Sequence, residues 1–441
     1  MRSQYIIISI GTIGTIGTMP HVDAKKMQKV FHGMYSDMHD AFAKCRALTL
    51  TPTIQPFDSR INSRQLPLPA GMRQGSDDND NNDNDFFPDE IQHHILNEPG
   101  VAITYTFSVG IRKVVLHFVE FNTRTQHNPD FDAHAKRVCA LMHLVSMHAS
   151  RPACSSALSI YVYMTEFKKL FPSKKGEVID TKHVNTGMAY HCARTNDVVV
   201  YRKEEWFKVL IHELFHAMGL SFIESDMPKG VDRAMQSMLQ KMYSISHPVR
   251  IYETYCEIWA RILNVVFDCF VDDHANPVYG TRHDGTRHDG TSHDGPEFRA
   301  FMECVMEGLG ENARFARHQC AKLLRYADLS HDILATPNEK NRAIVAEKYR
   351  ENTNVFAYYV LTHILLHSPT DFMTWCYQNN PLTPDKKAIM QFRTIPANFN
   401  GFMELLRHCK QQCPTLDSSA LNDTAVLATT MRMTPKSQMQ V

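Results

Sequence analysis

The sequence predicts an α+β fold in which a mixed β-sheet comes first along the chain and a mainly helical half follows it. Three observations support this prediction. Short apolar runs typical of strands occur between residues 101 and 201, and the periodic segments beyond Gly219 have helical spacing. At the junction lies an apolar helix that carries His212 and His216, four residues apart.

Size and charge restrict the classes of function. The chain has 441 residues, enough for two or three domains or for one enzyme-sized core with insertions. Its 47 basic and 47 acidic residues cancel, so no basic surface for nucleic acid is predicted. No apolar run approaches the ~18 to 20 residues that cross a bilayer. We therefore expect neither nucleic acid nor membrane as a partner, and the sequence leaves the oligomeric state open.

Repeats and polar tracts divide the chain into four segments. The first is expected to be an extension outside the core, with one helix from Asp23 to Leu48 and then a proline-rich, acidic linker. The tandem repeat at residues 280–295 and the C-terminal tail are expected to be disordered, because such polar compositions bury little apolar area. The predicted segments are residues 1–98, 99–219, 220–413 and 414–441.

Residue types and turn signals predict the elements between these boundaries. β-branched and aromatic runs predict the strands, and Gly110 predicts the turn between the first two. A helix is expected over residues 132–148, and another from 202 to Met218, with Glu204 and Glu205 in its first turn and Gly219 as its stop. The predicted strands are 103–107, 114–119, 158–164, 184–191 and 198–201. Helices are predicted at 231–243, 249–270, 296–307, 313–327, 339–349, 353–367, 371–376, 385–392 and 402–409.

The sequence His212-Glu213-Leu214-Phe215-His216 carries the most specific chemical signal. Histidines four apart on a helix share one face, so both imidazoles can reach one ion at ~2.0 to 2.1 Å. Glu213 is displaced by about 100° around the helix axis, so its carboxylate lies beside the ion, within reach of a water that the ion polarises. In such an apolar helix, these polar groups would be costly to bury unless something binds them.

A catalytic zinc site needs a third protein ligand and an open fourth position. A metzincin-type third histidine is excluded, because the position six residues after His216 is Phe222. A later apolar helix carries Glu253 and Glu257, which share a face by the same four-residue rule. Either glutamate could therefore complete the site.

These residues resemble the gluzincin metallopeptidases, in which a glutamate on a later helix is the third zinc ligand. Residues 100–270 are also similar to uncharacterised metallopeptidase-like proteins of large cytoplasmic DNA viruses, through Asn185–Met188, residues 198–216 and Tyr252–Asn264. The resemblance implies a zincin-like fold, a Zn²⁺ ion held by His212, His216 and Glu253, and Cys256 as the small residue at the helix crossing. It implies that Glu257 accepts a hydrogen bond from a ligating imidazole. The 37 positions from His216 to Glu253, and Glu rather than Asp as the outer acid, depart from the usual pattern.

The resemblance also implies where a substrate binds. In zincins, the strand before the active helix's own strand pairs with extended substrate, and residues 184–191 are the candidate here. Gly187 would allow another backbone to approach closely. The resemblance further implies a Tyr or His that stabilises the oxyanion, with Tyr358, Tyr359 and His363 as candidates. His363 also forms a four-residue pair with His367, which we interpret as structural because no Glu lies between them. The substrate-strand residues are Asn185, Thr186, Gly187 and Met188.

The function predicted from these residues is that of a zinc metallopeptidase acting on a peptide or protein, with Glu213 as general base. The alternative is a non-catalytic zincin-fold protein that binds a host or virion polypeptide, although a binding site needs no such base. A hydrolase of non-peptide amides is a third possibility, disfavoured by the candidate edge strand.

The cysteines predict the compartment. Eleven cysteines without a CxxC pair are expected to be reduced thiols, which favours the cytoplasm, either host cytoplasm or virion for a viral protein. Secretion is less favoured, because the apolar run of residues 5–10 is followed by Gly-Thr-Ile repeats and by no clear signal-peptide cleavage site.

Overall fold

The computed structural model describes residues 24–58, 66–72, 87–122, 130–271, 295–380, 388–416 and 425–435. Several sequence predictions lie outside these residues. They are the N-terminal apolar run, the Asp/Asn-rich linker at 77–85, nearly all of the 280–295 repeat, and residues 417–424 and 436–441 of the tail.

A mixed sheet of six strands forms the first half, as predicted. The spatial order is β1-β2-β3-β4-β6-β5. β3, β4 and β6 run parallel, while β1, β2 and β5 are joined to their neighbours in antiparallel register. Gly110, with φ of 58°, makes the predicted turn between β2 and β3. The strands are β1 Thr53–Phe57, β2 Gly100–Val109, β3 Arg112–Phe121, β4 Ala157–Tyr163, β5 Gly187–Ala189 and β6 Thr195–Val200.

Helices cover the sheet and build the second half, so the α+β class is confirmed. Two predicted helices, 296–307 and 313–327, form one continuous helix. Among the described residues, no helix is both long and apolar enough to cross a bilayer. The helices are α1 Ala24–Arg46, α2 Asp89–Asn97, α3 Asp130–His148, α4 Thr181–Val184, α5 Trp206–Ala217, α6 Val231–Met242, α7 Ile251–Cys269, α8 Pro296–Tyr326, α9 His331–Ala335, α10 Glu339–Lys348, α11 Thr362–His367 after a π-helical stretch Phe356–Leu361, α12 Pro369–Asn379, α13 Pro396–Gln412 and α14 Ala425–Thr429.

Alternation along the strands explains how the sheet is buried on both faces. In β2, Val101, Ile103 and Tyr105 face the main core with α3 and α5, while Ala102 faces a second core with Ile91 and Ile95 of α2. Helix α5, which carries His212 and His216, packs against β5 and β6 at one edge of the sheet.

The prediction that residues 1–98 are an extension outside the core is wrong for the residues of this segment that the structure describes. Val30, Phe31, Met34 and Met38 of α1 are each at most 2% exposed and belong to the main core, where α1 packs against α3. β1 adds a strand to the sheet. The sequence showed an apolar helix stripe, but the surface that covers it comes from residues more than 90 positions away.

The prediction of a disordered tail is also wrong for residues 425–435. Leu170 and Thr430 form an antiparallel bridge, and the Met431 N–H donates to the Lys169 carbonyl at 2.8 Å. Met431 is fully buried, and Met433 is 3% exposed. A segment this short has no periodicity to reveal its partners.

Four of the eleven cysteines form disulfides, which corrects the prediction that all are reduced. Cys154 pairs with Cys192, and Cys269 pairs with Cys304, across separations of 38 and 35 residues. Sequence spacing could not reveal these pairs, because the fold brings the partners together. The cysteine argument for a reducing compartment therefore no longer holds.

Candidate metal centre

α5 carries the two histidines and Glu213, and every one of its twelve residues is buried. The helix begins at Trp206 rather than at Arg202, because Glu205 has a left-handed backbone with φ of 62°. The prediction that Glu204 and Glu205 lie in the first helical turn is therefore wrong. The Glu205 carboxylate instead forms a buried ion pair with Lys169 at 2.5 Å.

α7 packs against α5 and brings two carboxylates to the histidines. Its predicted span of 249–270 begins two residues early and ends one residue late. Cys256 lies at the contact, fully buried, with its Sγ 3.8 Å from His216 Nδ1. This agrees with the expected small residue at the helix crossing.

Three atoms converge on one point between the helices. His212 Nε2 and His216 Nε2 are 3.3 Å apart, and Glu253 Oε2 lies 3.0 Å and 3.5 Å from them. Ligands at about 2.0 to 2.1 Å from a tetrahedral ion are separated by about 3.3 Å, so these spacings suit a zinc ion. His212, His216, Glu213 and Glu253 are between 5% and 8% exposed.

The thiol of Cys256 offers a second possible third ligand. Each of His212, His216 and Cys256 offers one ligand atom, and these three atoms lie within 4.8 Å of one another. This group could therefore also hold a metal ion. However, the thiol contacts Nδ1 of His216, whereas the Nε2 atoms face each other and Glu253. For an ion bound between the two Nε2 atoms, the geometry therefore favours Glu253 over Cys256 as the third ligand.

Glu257 lies behind His212, as predicted for the outer acid. Its Oε2 is 3.2 Å from His212 Nδ1, so Nδ1–H can donate to the carboxylate, which leaves Nε2 as the nitrogen that faces Glu253. This position disfavours the alternative that Glu257 is the ligand itself. Lys208 donates to both carboxylate oxygens at 3.0 and 2.9 Å, and Arg261 Nε donates at 2.8 Å.

Burial and these contacts shift the ionisation of the site. Burial lowers the pKa of His212, but its hydrogen bonds to Glu253 and Glu257 outweigh this and raise the pKa to about 10. Burial also raises the pKa of Glu253 and Glu257, yet the neighbouring cationic groups hold both pKa values below the ordinary range. The centre therefore attracts positive charge.

Glu213 has a different environment from these two acids. Burial raises the pKa of Glu213, and the nearby imidazoles only partly oppose this. A carboxylate with a raised pKa is a stronger base than an exposed one, which suits proton transfer near neutral pH.

Only one of the three predicted oxyanion candidates reaches the centre. The Tyr358 hydroxyl donates to Glu253 Oε2 at 3.0 Å, and its ring lies 5.7 Å from the His212 ring. Tyr359 donates to the Met431 carbonyl, and His363 Nε2 lies 3.2 Å from Cys413 Sγ. The predictions for Tyr359 and His363 are wrong, because successive helical positions point in different directions.

The candidate substrate strand is shorter than predicted. Residues 181–184 are the short helix α4, and the strand spans only Gly187–Ala189, at the edge of the sheet. A Cβ at Gly187 would lie 2.9 Å from Val209 Cγ1 and 3.0 Å from Glu213 Cγ. The nearest neighbour of such a Cβ would be the Val199 carbonyl oxygen at 2.8 Å, so the glycine allows the backbone of β6 and helix α5 to approach the strand closely, and it places Glu213 beside the strand. The approach of a substrate backbone at Gly187 stays a prediction. Met188 belongs to the sheet's second core.

One cavity adjoins the centre. It is a small pocket of about 40 Å³, lined by His212 and Glu213 and by Asn185, Thr186 and Gly187 at the sheet edge. A larger groove of about 1080 Å³ is lined by Arg250 and Asn354, among others, and by no residue of the centre. One hydrogen bond links the walls of the two cavities, because Asn354 Nδ2 donates to the hydroxyl of Tyr358, which lines the small pocket, at 3.5 Å.

Sequence reasoning missed the residues that support Glu257. Lys208 is four positions before His212, and Arg261 is four positions after Glu257, so the four-residue rule could have placed each on the correct helix face. A lysine and an arginine in two otherwise apolar helices were the signal. No sequence signal indicated that Met433, from the C-terminal segment, also lines the small pocket.

Comparisons with known proteins leave the family open: no family model matches the chain, and neither a curated protein nor a solved structure is similar to it.

Proposed function

We propose that this protein is a zinc-dependent metallopeptidase. The observation that carries the proposal is the convergence of His212 Nε2, His216 Nε2 and Glu253 Oε2 at mutual distances of 3.0 to 3.5 Å, with Glu213 on the same helix. Two imidazole nitrogens and one carboxylate oxygen are the donor set of catalytic zinc sites that keep a fourth position open.

The buried residues around the centre fit a divalent cation. Glu253 and Glu257 carry two negative charges into a site whose histidines are almost fully buried. Buried charges are stable only when they are paired or bind a metal. Glu257 is balanced by Lys208 and Arg261, whereas Glu253 has the two imidazoles and the Tyr358 hydroxyl as neighbours. A zinc ion would take the place of the protons by which the two imidazoles balance Glu253.

The chain's own groups then have distinct tasks. A zinc ion held by His212, His216 and Glu253 would lower the pKa of a water molecule to about 7 and polarise a carbonyl oxygen. Glu213 would accept a proton from the water as it adds to the scissile carbon, and would donate that proton to the amine when the C–N bond breaks. Tyr358 keeps its proton because burial and Glu253 hold its pKa above the ordinary value, so its hydroxyl can donate to the oxygen that gains negative charge.

A polypeptide is the substrate that the surroundings favour. The antiparallel edge strand β5 offers backbone groups for an extended chain, and the groove of about 1080 Å³ leads to the Asn354–Tyr358 contact. The narrowness of the small pocket and the low exposure of the histidines support the rival function, a non-catalytic centre that binds a polypeptide.

Substituting Glu213→Gln separates the two functions. Gln keeps the size of the side chain but cannot act as a base, so we expect peptide hydrolysis to fall by about 10²- to 10⁴-fold while zinc stays bound. Zinc content by plasma mass spectrometry and cleavage of a mixed peptide library are the measurements. If the wild-type protein binds zinc and cleaves nothing, or if the variant cleaves as fast as the wild type, the peptidase proposal fails.

A further inference from the structure

The C-terminal segment Thr429–Thr434 reaches the candidate centre from more than 200 residues away along the chain. Its backbone pairs with residues 169–171: Phe171 N–H donates to the Thr429 carbonyl at 2.9 Å, and Met431 N–H donates to the Lys169 carbonyl at 2.8 Å. Lys322 Nζ donates to the Thr430 carbonyl at 2.8 Å. The segment is therefore held on two sides.

A third anchor fixes the segment against the start of α5. Glu205 Oε1 accepts from the backbone N–H of Met433 at 2.9 Å and from that of Thr434. Because Glu205 directly precedes α5, the position of Met433 is tied to the helix that carries Glu213. Its sulfur lies 3.6 Å from Lys208 Nζ, on the wall of the small pocket.

The pocket itself has room for very little. Its volume is about 40 Å³, which is small beside the ~150 Å³ of an apolar cavity that holds benzene, so only a small side chain fits it. Its walls come from the sheet edge and α5, and from Met433, Lys169, Glu257 and Tyr358. A side chain of a peptide lying along β5 would enter here, beside Glu213.

One polar atom in this pocket lacks a partner. The Thr186 hydroxyl is buried, its residue is only 3% exposed, and within the described parts of the chain nothing is hydrogen-bonded to it. Burying a hydroxyl without a partner costs free energy, but this oxygen has almost no accessible surface, so no role in binding a side chain is assigned to it.

We infer that the pocket receives a substrate side chain next to the scissile bond and that Met433 restricts this residue to Gly, Ala or Ser. The inference rests on the proposed peptidase function and adds a substrate class to it: polypeptides with a small residue at one position flanking the cleaved bond. Met433 determines specificity by occupying space.

Met433→Ala tests the inference with peptides that carry Gly, Ala, Ser, Val, Leu or Phe at each position flanking the cleavage site. The zinc-loaded wild type should prefer the small residues at one position. At that position, Met433→Ala should raise kcat/KM for the peptides with Val or Leu by about 10-fold or more relative to kcat/KM for the peptide with Ala. The reason is that each methylene group changes discrimination by about 10- to 200-fold. Zinc content should not change.

Met431→Ala is the matched control. Met431 is in the same segment and is fully buried in the main core, so its loss should lower stability without changing the preference. If Met433→Ala does not fold, Met433→Val, which trims the side chain less, should shift the preference in the same direction. An unchanged preference in a folded, zinc-loaded Met433 variant overturns the inference.

A binding measurement separates this inference from the peptidase proposal. Glu213→Gln alone and combined with Met433→Ala can be titrated with the same fluorescent peptides, and Kd does not depend on turnover. A Kd preference for small residues that is lost with Met433→Ala supports the pocket even where no peptide is cleaved. Equal Kd values for small and large residues in the Glu213→Gln protein refute it.

Discussion

The chain contains two histidine pairs with the same four-residue helical spacing and opposite surroundings. His212 and His216 on α5 face Glu253 and Glu257, whereas His363 and His367 on α11 lie near the Cys413 thiol and basic groups such as Arg317. Burial lowers the pKa of His363 to about 3, but the carboxylates overcome burial and raise that of His212 to about 10. Helical spacing aligns two imidazoles in each pair, and only the α5 pair also has acids from another helix, whose negative charge a cation site would need.

Removing one imidazole from each pair should give the largest contrast. We expect His212→Ala to lose the roughly one equivalent of zinc that the wild type retains after dialysis, because two ligands are too few for a stable site. His363→Ala should retain it. Plasma mass spectrometry of both variants makes the comparison, and equal zinc loss from the two would mean that the α5 pair is not the metal site.

The third ligand can be tested with two residues of α7. Glu253→Ala should weaken zinc binding by more than the 10- to 100-fold typical of an outer residue, because it removes a directly bound atom. Cys256→Ala should leave zinc affinity within about 10-fold of the wild type, since the thiol contacts the far side of His216. Competition with a chromophoric chelator measures both, and the reverse order would identify Cys256 as the ligand.

The outer acid should have a smaller effect than the ligands. Glu257→Gln weakens the acceptor that orients His212, so we expect zinc affinity to fall by about 10- to 100-fold. Asp268→Asn is a suitable control, because Asp268 lies on the same helix and pairs with Arg137. If both variants reduce zinc affinity equally, the effect comes from α7 as a whole and not from the Glu257 contact.

Lowering the pH should reveal the effect of the second histidine pair, through His363, on the stability of the fold. His363 has a pKa of about 3 in the folded protein against an ordinary value of 6.5, so the unfolded chain binds the proton first as the pH falls. The contribution of the neutral, buried His363 to the free energy of unfolding is fully present above pH 6.5 and is lost as the pH falls towards 3. At pH 5.5 the free energy of unfolding is lower by about 1.4 kcal/mol for this reason. Urea unfolding at pH 7.5 and 5.5 should therefore show a smaller pH effect for His363→Leu than for the wild type. An identical pH effect would show that His363 is protonated in the folded state.

Much of the candidate site could be predicted because it depends on geometry within single helices. The α+β class, the face of α5 that carries both histidines and the shared face of Glu253 and Glu257 all follow from periodicity. The predicted helix boundaries were less accurate where the backbone of a single residue is not helical, as at Glu205 before α5. The roles of Tyr359 and His363 could not be decided, because adjacent turns of one helix face different neighbours.

By itself, the sequence determined which side chains share a face, since helix and strand repeats place neighbours within a few residues of one another. Only the tertiary structure decided that Glu253 meets Nε2 while Glu257 meets Nδ1, that Cys154 pairs with Cys192, and that Met433 lines the pocket. Those contacts join residues between 38 and more than 200 positions apart. Their partners are chosen by how all the apolar faces pack together, and no local pattern records that choice.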